Sequence, residues 1–498
     1  MVAFIGKVHE MSGVLRIHPD NPKCFEFRGK PLVLLTATEH YGAVMNRPFR
    51  FERYLDDAAE KHMTLTRLFC LFRELQHPVN PYSTCKPESP DYVAPYPRTG
   101  AGKALDGQPK FDLDRWNPEF FDRLHRFLAL AEQREIMVEV VLLSNTYEPR
   151  IWELNPLHAR NNINDLPQIE WIDYTTLRHP AVFQRQAALV RKIVEETNRY
   201  DNTLFEVCNE PGGGFPGIAG APSPDEVDQW QGTLAEVIRE TEASCPKRHL
   251  IAGHEAFVYD PWDHKIDKTF SDFFVDVVNI HPLPGVTYVG ATYDMGAFMS
   301  KQLRLRALRD FCLASYSANK PLNLDEDNVA SQYKDREGWT IHRKRAWTAL
   351  LSGAHYDYID FSIINYCETG TVASQAGIRS WMKHLATFMQ SVDLVRARPL
   401  PGILCTQPPH TCESVLAVPG EDYAIYFADE RELDDPSAGN PIRGDLVVDV
   451  RRGVYRAAAY SPTAGLYSPW LSLPEASVLR VIVPEFRDDI VIRLQRQE

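Results

Sequence analysis

Short apolar runs alternate with amphipathic stretches along most of this chain, which predicts repeated parallel β/α units. A hairpin is expected first, in the segment 1–30, from Gly13-Val-Leu-Arg-Ile and Cys24-Phe-Glu-Phe-Arg-Gly-Lys-Pro. Eight strands follow: Leu32 to Leu35, Leu65 to Phe72, Met137 to Leu143, Leu204 to Cys208, His249 to Gly253, Val275 to Ile280, Pro321 to Leu324 and Tyr358 to Ile363. Helical periodicity between them is read at Phe51 to Met63, Glu119 to Arg134, Ala181 to Arg199, Asp225 to Ala243, Leu303 to Ser317 and Ile341 to His355, with a last helix from Ile378 to Ser391. Eight such strands are what a closed (β/α)8 TIM barrel needs, here over residues 31–398. From 399 to 498 the period changes to two, with strands at Tyr423 to Phe427, Leu446 to Val450, Tyr455 to Tyr460, Val478 to Val483 and Ile490 to Leu494. That pattern predicts a small C-terminal antiparallel β-sandwich.

Composition narrows the class. Among 498 residues, 44% are hydrophobic and 24% charged, an ordinary globular balance. The net charge of −13 disfavours nucleic acid, whose binders need basic surfaces. No run approaches the ~20 apolar residues of a membrane span. The nine cysteines are scattered without a CxxC pair, so neither a disulfide framework nor a zinc knuckle is signalled. The N-terminal decapeptide lacks a basic then apolar leader pattern, and the cytoplasm is the expected setting.

In a parallel barrel, polar residues at the carboxyl ends of strands converge on one mouth. Those ends supply Glu39, His40 and Tyr41; Arg67; Ser144 and Asn145; Asn209 and Glu210; His254 and Glu255; His281; and Asp325, Glu326 and Asn328. Two carboxylates from opposite walls of such a mouth can flank a glycosidic bond, one as nucleophile and the other as acid, then base. Strand alternation allows only one of Asp325 and Glu326 to face the mouth, and the longer Glu326 is the expected one. Glu39 and His40 are candidates for gripping a terminal sugar, and Arg67, Asn145 and His281 for substrate or carboxylate contacts. Trp152, Trp171, Trp262, Trp339 and Tyr147 offer faces for sugar stacking, with Trp339 favoured because it follows strand seven. The two long segments 73–113 and 148–178 are of a length that is usually functional, and tilt the reading towards exo action.

Strand four ending in Asn209-Glu210-Pro211 and strand seven ending in Glu326 together resemble the clan A retaining glycoside hydrolases, which include the family 5 cellulase-like barrels. The resemblance implies Glu210 as acid/base, Glu326 as nucleophile and Asn209 as the contact to a sugar 2-hydroxyl. It also matches Arg67, in Leu-Thr-Arg-Leu-Phe, to an Arg that holds the nucleophile, and His281 to a His near the end of strand six. The sequence departs from that pattern at strand eight, where Phe361-Ser-Ile-Ile-Asn-Tyr366 offers no Trp. The implied function is double-displacement cleavage of a β-type glycosidic bond in a plant- or microbe-derived oligosaccharide, with no cofactor and no metal. A transglycosylase using the same residues, a non-catalytic carbohydrate-binding barrel, and a metal-dependent barrel hydrolase built on His40, His254, Glu255 and His281 are the other readings. The sandwich is expected to brace the barrel or to form an oligomer contact.

Overall fold

A computed structural model describes residues 13–39, 42–72, 90–212, 218–254, 274–281, 305–327, 336–431 and 435–497. Eight parallel strands form one sheet: β1 (Leu35–Thr38), β2 (Leu65–Phe69), β3 (Met137–Ser144), β4 (Thr203–Asn209), β5 (Leu250–His254), β6 (Val277–Ile280), β7 (Leu322–Asp327) and β8 (His355–Ile359). Neighbours pair in register from β2 through β8 and back to β1. The ring closes where Thr64, just before β2, donates its amide to Leu35 O at 3.0 Å and its hydroxyl to Val33 O at 2.6 Å. This is the TIM barrel with appended antiparallel sheets that the hydrophobic pattern predicts.

Most strands lie within a few residues of their expected positions, and two shift. β1 begins at Leu35 because Lys30–Leu32 is recruited as the third strand of the N-terminal sheet, pairing with Asn21–Phe27. β8 begins at His355, three residues early: the His355 ring accepts from Leu34 N at 2.9 Å and its other nitrogen meets Lys23 O at 3.1 Å, which anchors the strand start under the barrel. The apolar residues of the small N-terminal sheet, Leu15, Phe25 and Phe27, pack with Leu65, Met137, Leu204 and Val277 at the amino ends of the barrel strands. That end is plugged, and the chemistry is left to the other.

The helices α1 (Phe51–Glu60), α2 (Pro118–Gln133), α3 (Pro180–Thr197), α4 (Pro224–Glu242), α5 (Leu305–Ser315), α6 (Arg336–Leu351) and α7 (Ile378–Met389) cover the sheet. Their starts carry ordinary signals. Pro occupies the first turn of α2, α3 and α4, and Ser223 and Glu226 form a reciprocal capping box on α4. The segment between β5 and β6, residues 255–273, lies outside the described residues. No helix among the described residues is long and apolar enough to cross a membrane.

The C-terminal region contains β9 (Thr411–Val418), β10 (Asp422–Asp429), β11 (Ile442–Gly453), β12 (Tyr455–Ser461), β13 (Ala476–Phe486) and β14 (Asp489–Arg496). β9 is an addition to the five expected strands. The sheet holding β9, β10, β14 and β12 buries one face against the sheet of β11 and β13. Its other face joins the barrel's own core through Leu416, Ala424, Tyr426, Ala428, Tyr460 and Val491. Trp347 of α6 stacks on Tyr426 with ring centroids 5.6 Å apart, and Arg343 grips Asp489 with two hydrogen bonds of 2.9 Å.

Candidate active site

The carboxyl ends of β2, β3, β4, β6 and β7 bring Arg67, Tyr147, Asn209, Glu210, His281 and Glu326 together. Arg67 is the hub. Its Nη1 donates to Glu326 Oε2 at 2.5 Å, its Nη2 to Glu206 Oε2 at 2.5 Å and to Asn209 Oδ1 at 3.1 Å, and its Nε lies 3.1 Å from Asp325 Oδ1. Arg67 is only 2% exposed, so these charge-assisted bonds act where water screens little.

Glu210 and Glu326 meet the same imidazole. His281 Nδ1 lies 2.5 Å from Glu210 Oε1, and its Nε2 lies 3.5 Å from Glu326 Oε2. Sharing one ring limits these two oxygens to a separation of about 8 Å, within the range over which paired carboxylates work on a glycosidic bond. Burial lowers the affinity of His281 for its proton, but the Glu210 and Asp325 carboxylates outweigh it and raise the imidazole to about 9. Burial pushes the Glu326 carboxyl well above the usual carboxyl range, and the Arg67 guanidinium lies 2.5 Å from its Oε2.

Both candidate carboxylates sit on left-handed backbone, with φ of 44° at Glu210 and 52° at Glu326. Non-glycine residues rarely adopt this region, and such strain gathers at functional sites. At Glu326 it has a structural effect. The β7–β8 register is irregular between Leu324 and Asp327, and this lets consecutive residues turn to the same guanidinium. The expectation that alternation admits only one of Asp325 and Glu326 is therefore corrected: both contact Arg67. Asp327 instead faces outwards, to Arg345 Nε at 2.6 Å and the Tyr356 hydroxyl at 2.8 Å.

Tyr147 completes the site from the turn after β3. Asn145 builds that turn: its Oδ1 accepts from the amides of Thr146 at 2.7 Å and Tyr147 at 3.3 Å, and its buried Nδ2 has no partner among the described residues. The turn holds Tyr147 at a φ of 53° and aims its hydroxyl at Glu210 Oε2, 2.6 Å away, while Asn209 Nδ2 donates to the same hydroxyl at 2.7 Å. Tyr147 thus belongs to the site through its hydroxyl, not only through its ring.

Two expected contacts are reassigned. Glu39 is buried, and its oxygens accept from the amides of Gly42 (2.8 and 2.9 Å) and Ala43 (3.0 Å), so it folds the loop after β1 and has no oxygen turned to a terminal sugar. Burial pushes its carboxyl up to about 7 against the pull of those amides and Arg67. Trp339 is 9% exposed and packs over Gly377, where a Cβ would come within 2.9 Å of its ring; it lines a cleft beside the sandwich with Trp381 and Tyr467. Trp152 is buried against Tyr174, and Trp171 lies in a short 3-10 turn. His40, Tyr41, Glu255, Trp262 and Asn328 lie outside the described residues, as does the side chain of His254.

Beneath the mouth lies a layer that sequence reasoning missed. Glu139, Glu206, Asp325, Asp357, Asn279 and Asn323 are all fully buried in the barrel interior. Oxygens of Glu139, Glu206 and Asp325 lie within 4.8 Å of one another, a spacing that a hard cation can bridge. Donors already occupy that space. Asn279 Nδ2 is 2.6 Å from Glu139, 3.5 Å from Glu206 and 3.4 Å from Asp325, beside the contacts of Arg67. Burial, first, and mutual repulsion raise Glu139 and Asp357 well above the usual carboxyl range, and burial brings Glu206 to about 7. The signal available in sequence was a lone Glu inside each apolar strand, Met137-Val-Glu-Val and Leu204-Phe-Glu-Val.

The comparisons with known proteins concern the fold. A family described as "Domain of unknown function (DUF6298)" matches residues 85–183. No curated protein matches the chain. A solved structure titled "Glycoside hydrolase" superposes with a TM-score of 0.63 at 12% identity, covering 98% of this chain and 97% of that one. A glycoside hydrolase family 5 structure from Bacteroides vulgatus gives 0.62 at 12% identity over 97% of this chain and 94% of its own. A further glycoside hydrolase structure from the same organism gives 0.61 at 14% identity over 98% of this chain and 83% of its own. Nearly end to end, this chain has the barrel-and-sandwich fold of solved glycoside hydrolases.

Proposed function

We propose that this chain is a retaining glycoside hydrolase that cleaves a β-type glycosidic bond of a plant- or microbe-derived oligosaccharide. The observation that carries the reading is the single imidazole of His281 set between Glu210 and Glu326, with Arg67 fixed on Glu326. Glu326, positioned by Arg67, attacks the anomeric carbon in its ionised form. Glu210 gives a proton to the departing oxygen, then takes one from the water that releases the sugar. Asn209, locked by Arg67, presents its amide nitrogen towards the sugar. Proton transfer and a carboxylate nucleophile suffice, so the reading needs no cofactor. The folds of solved structures titled as glycoside hydrolases support it. The scattered cysteines support a cytoplasmic setting.

The test is a screen of 4-nitrophenyl β-glycosides, followed by NMR of the first product. Glu326→Ala is expected to lose turnover by at least about a thousandfold and to recover part of it with azide, which enters the space of the lost carboxylate. Glu210→Gln should lose far more on poor leaving groups than on nitrophenyl glycosides. An inverted first product removes the mechanism.

A further inference from the structure

One hydroxyl touches two groups that the proposed reaction needs for its substrate. Glu210 Oε2 accepts from the Tyr147 hydroxyl at 2.6 Å, and Asn209 Nδ2 donates to that hydroxyl at 2.7 Å. Both of these atoms belong to neighbouring residues at the end of β4, so the hydroxyl sits between the place of the departing glycosidic oxygen and that of the adjacent sugar hydroxyl. Like a sugar hydroxyl, it accepts from the amide and donates to the carboxylate. The backbone holds it there at a cost, since Tyr147 sits at a φ of 53° in a turn built by Asn145. The other oxygen of Glu210 faces His281 Nδ1 at 2.5 Å. Two hydrogen bonds to a carboxylate favour its ionised form, whereas the first step needs Glu210 protonated.

We propose that the Tyr147 hydroxyl stands in for the sugar 2-hydroxyl in the resting protein, and that substrate must displace it before Glu210 can act as an acid. The inference rests on the hydrolase reading above and names how that same site selects its ligand. Displacement removes one of the bonds that hold Glu210 ionised, and the proton on His281 Nδ1 can then pass along its hydrogen bond to Oε1, whose heavy atoms lie 2.5 Å apart. A sugar with a properly placed 2-hydroxyl takes over the bond from Asn209 Nδ2, while Glu210 is left free to turn its proton to the departing oxygen. A sugar without it leaves Asn209 and Glu210 unmatched or leaves Tyr147 in place, so the residue discriminates by competition.

The experiment compares wild type and Tyr147→Phe on the best 4-nitrophenyl β-glycoside of the screen and on its 2-deoxy analogue. On the parent glycoside, KM is expected to fall about five- to tenfold in the variant, because the competitor is gone. On the 2-deoxy analogue the fall should shrink to under about twofold. The alkaline limb of kcat/KM should move to higher pH, since Glu210 loses a donor to its ionised form and keeps its proton longer. Thermal melting confirms that the variant is folded. An unchanged or raised KM with kcat reduced would make Tyr147 a brace for Glu210 and overturn the proposal, as would equal effects on the two substrates. Glu210→Gln is run beside it: full activity there sinks the hydrolase reading itself, whereas its loss together with an unaltered Tyr147→Phe sinks only this inference.

Discussion

At the scale of single residues, Arg67 decides most. It neutralises parts of Glu206, Asp325 and Glu326 at once, and none of the three is more than 2% exposed. Replacing it with Met should destabilise the protein by roughly 3–5 kcal/mol, because a broken buried pair leaves charge without compensation. A denaturant titration that finds under about 1 kcal/mol would show that protons, not Arg67, neutralise the layer. The pH dependence has a definite sign. Glu206 in the folded state titrates near 7, above its unfolded value, so its contribution to stability is complete at acid pH and declines as pH rises through that window. Burial raises Glu139 well above the usual carboxyl range as well, and it acts in the same direction. Glu139→Gln should therefore raise the melting temperature more at pH 8 than at pH 5, and the reverse order would contradict the assignment. Glu210, Glu326, Arg67, Asn209 and His281 were legible because they lie at or near strand ends. The interior carboxylates were not, because a strand buried on both faces is read as uniformly apolar.

At the scale of elements, legibility followed the number of faces each one buries. The helices α2, α3 and α4 show one apolar stripe and clear start signals, and their ends fall within one or two residues of expectation. Helix α6 begins five residues before its expected start. From Ile341 to Leu351 every residue is buried, including His342, Arg343, Lys344 and Arg345, so the charged run that reads as solvent-facing is in fact enclosed. Its cations are accounted for by the sandwich and by β7: Arg343 by Asp489, Lys344 by Asp429 O at 2.9 Å, Arg345 by Asp327. No local pattern announces partners that arrive from 18, 85 and 146 residues away. At the start of α4, Ser223→Ala should cost about 1 kcal/mol through loss of the capping box, measurable by chemical denaturation. A loss confined to a few tenths would mean that the cap is already frayed.

At the scale of the whole molecule, the sandwich and the barrel share a core rather than a boundary. Trp347, fully buried, touches Tyr426 and Tyr460 from one side and Phe388 from the other. Heating should therefore melt both parts in one calorimetric transition, and Trp347→Ala should cost about 3–5 kcal/mol while keeping that transition single. Two separated transitions in the wild type would show the parts to be independent. The helix that the sandwich grips, α6, lies between β7, which bears Glu326, and β8, so the appended domain steadies the wall of the site from behind.

The left-handed backbone beneath Glu210 and Glu326 has an evolutionary corollary. A glycine would rest at either position without penalty, so a mutant freed from its chemistry becomes the more comfortable protein. Descendants that no longer turn over sugar should drift first at these two places, towards Gly or Asn, while Arg67 and the strands around it persist. A dead relative is best sought by those two letters.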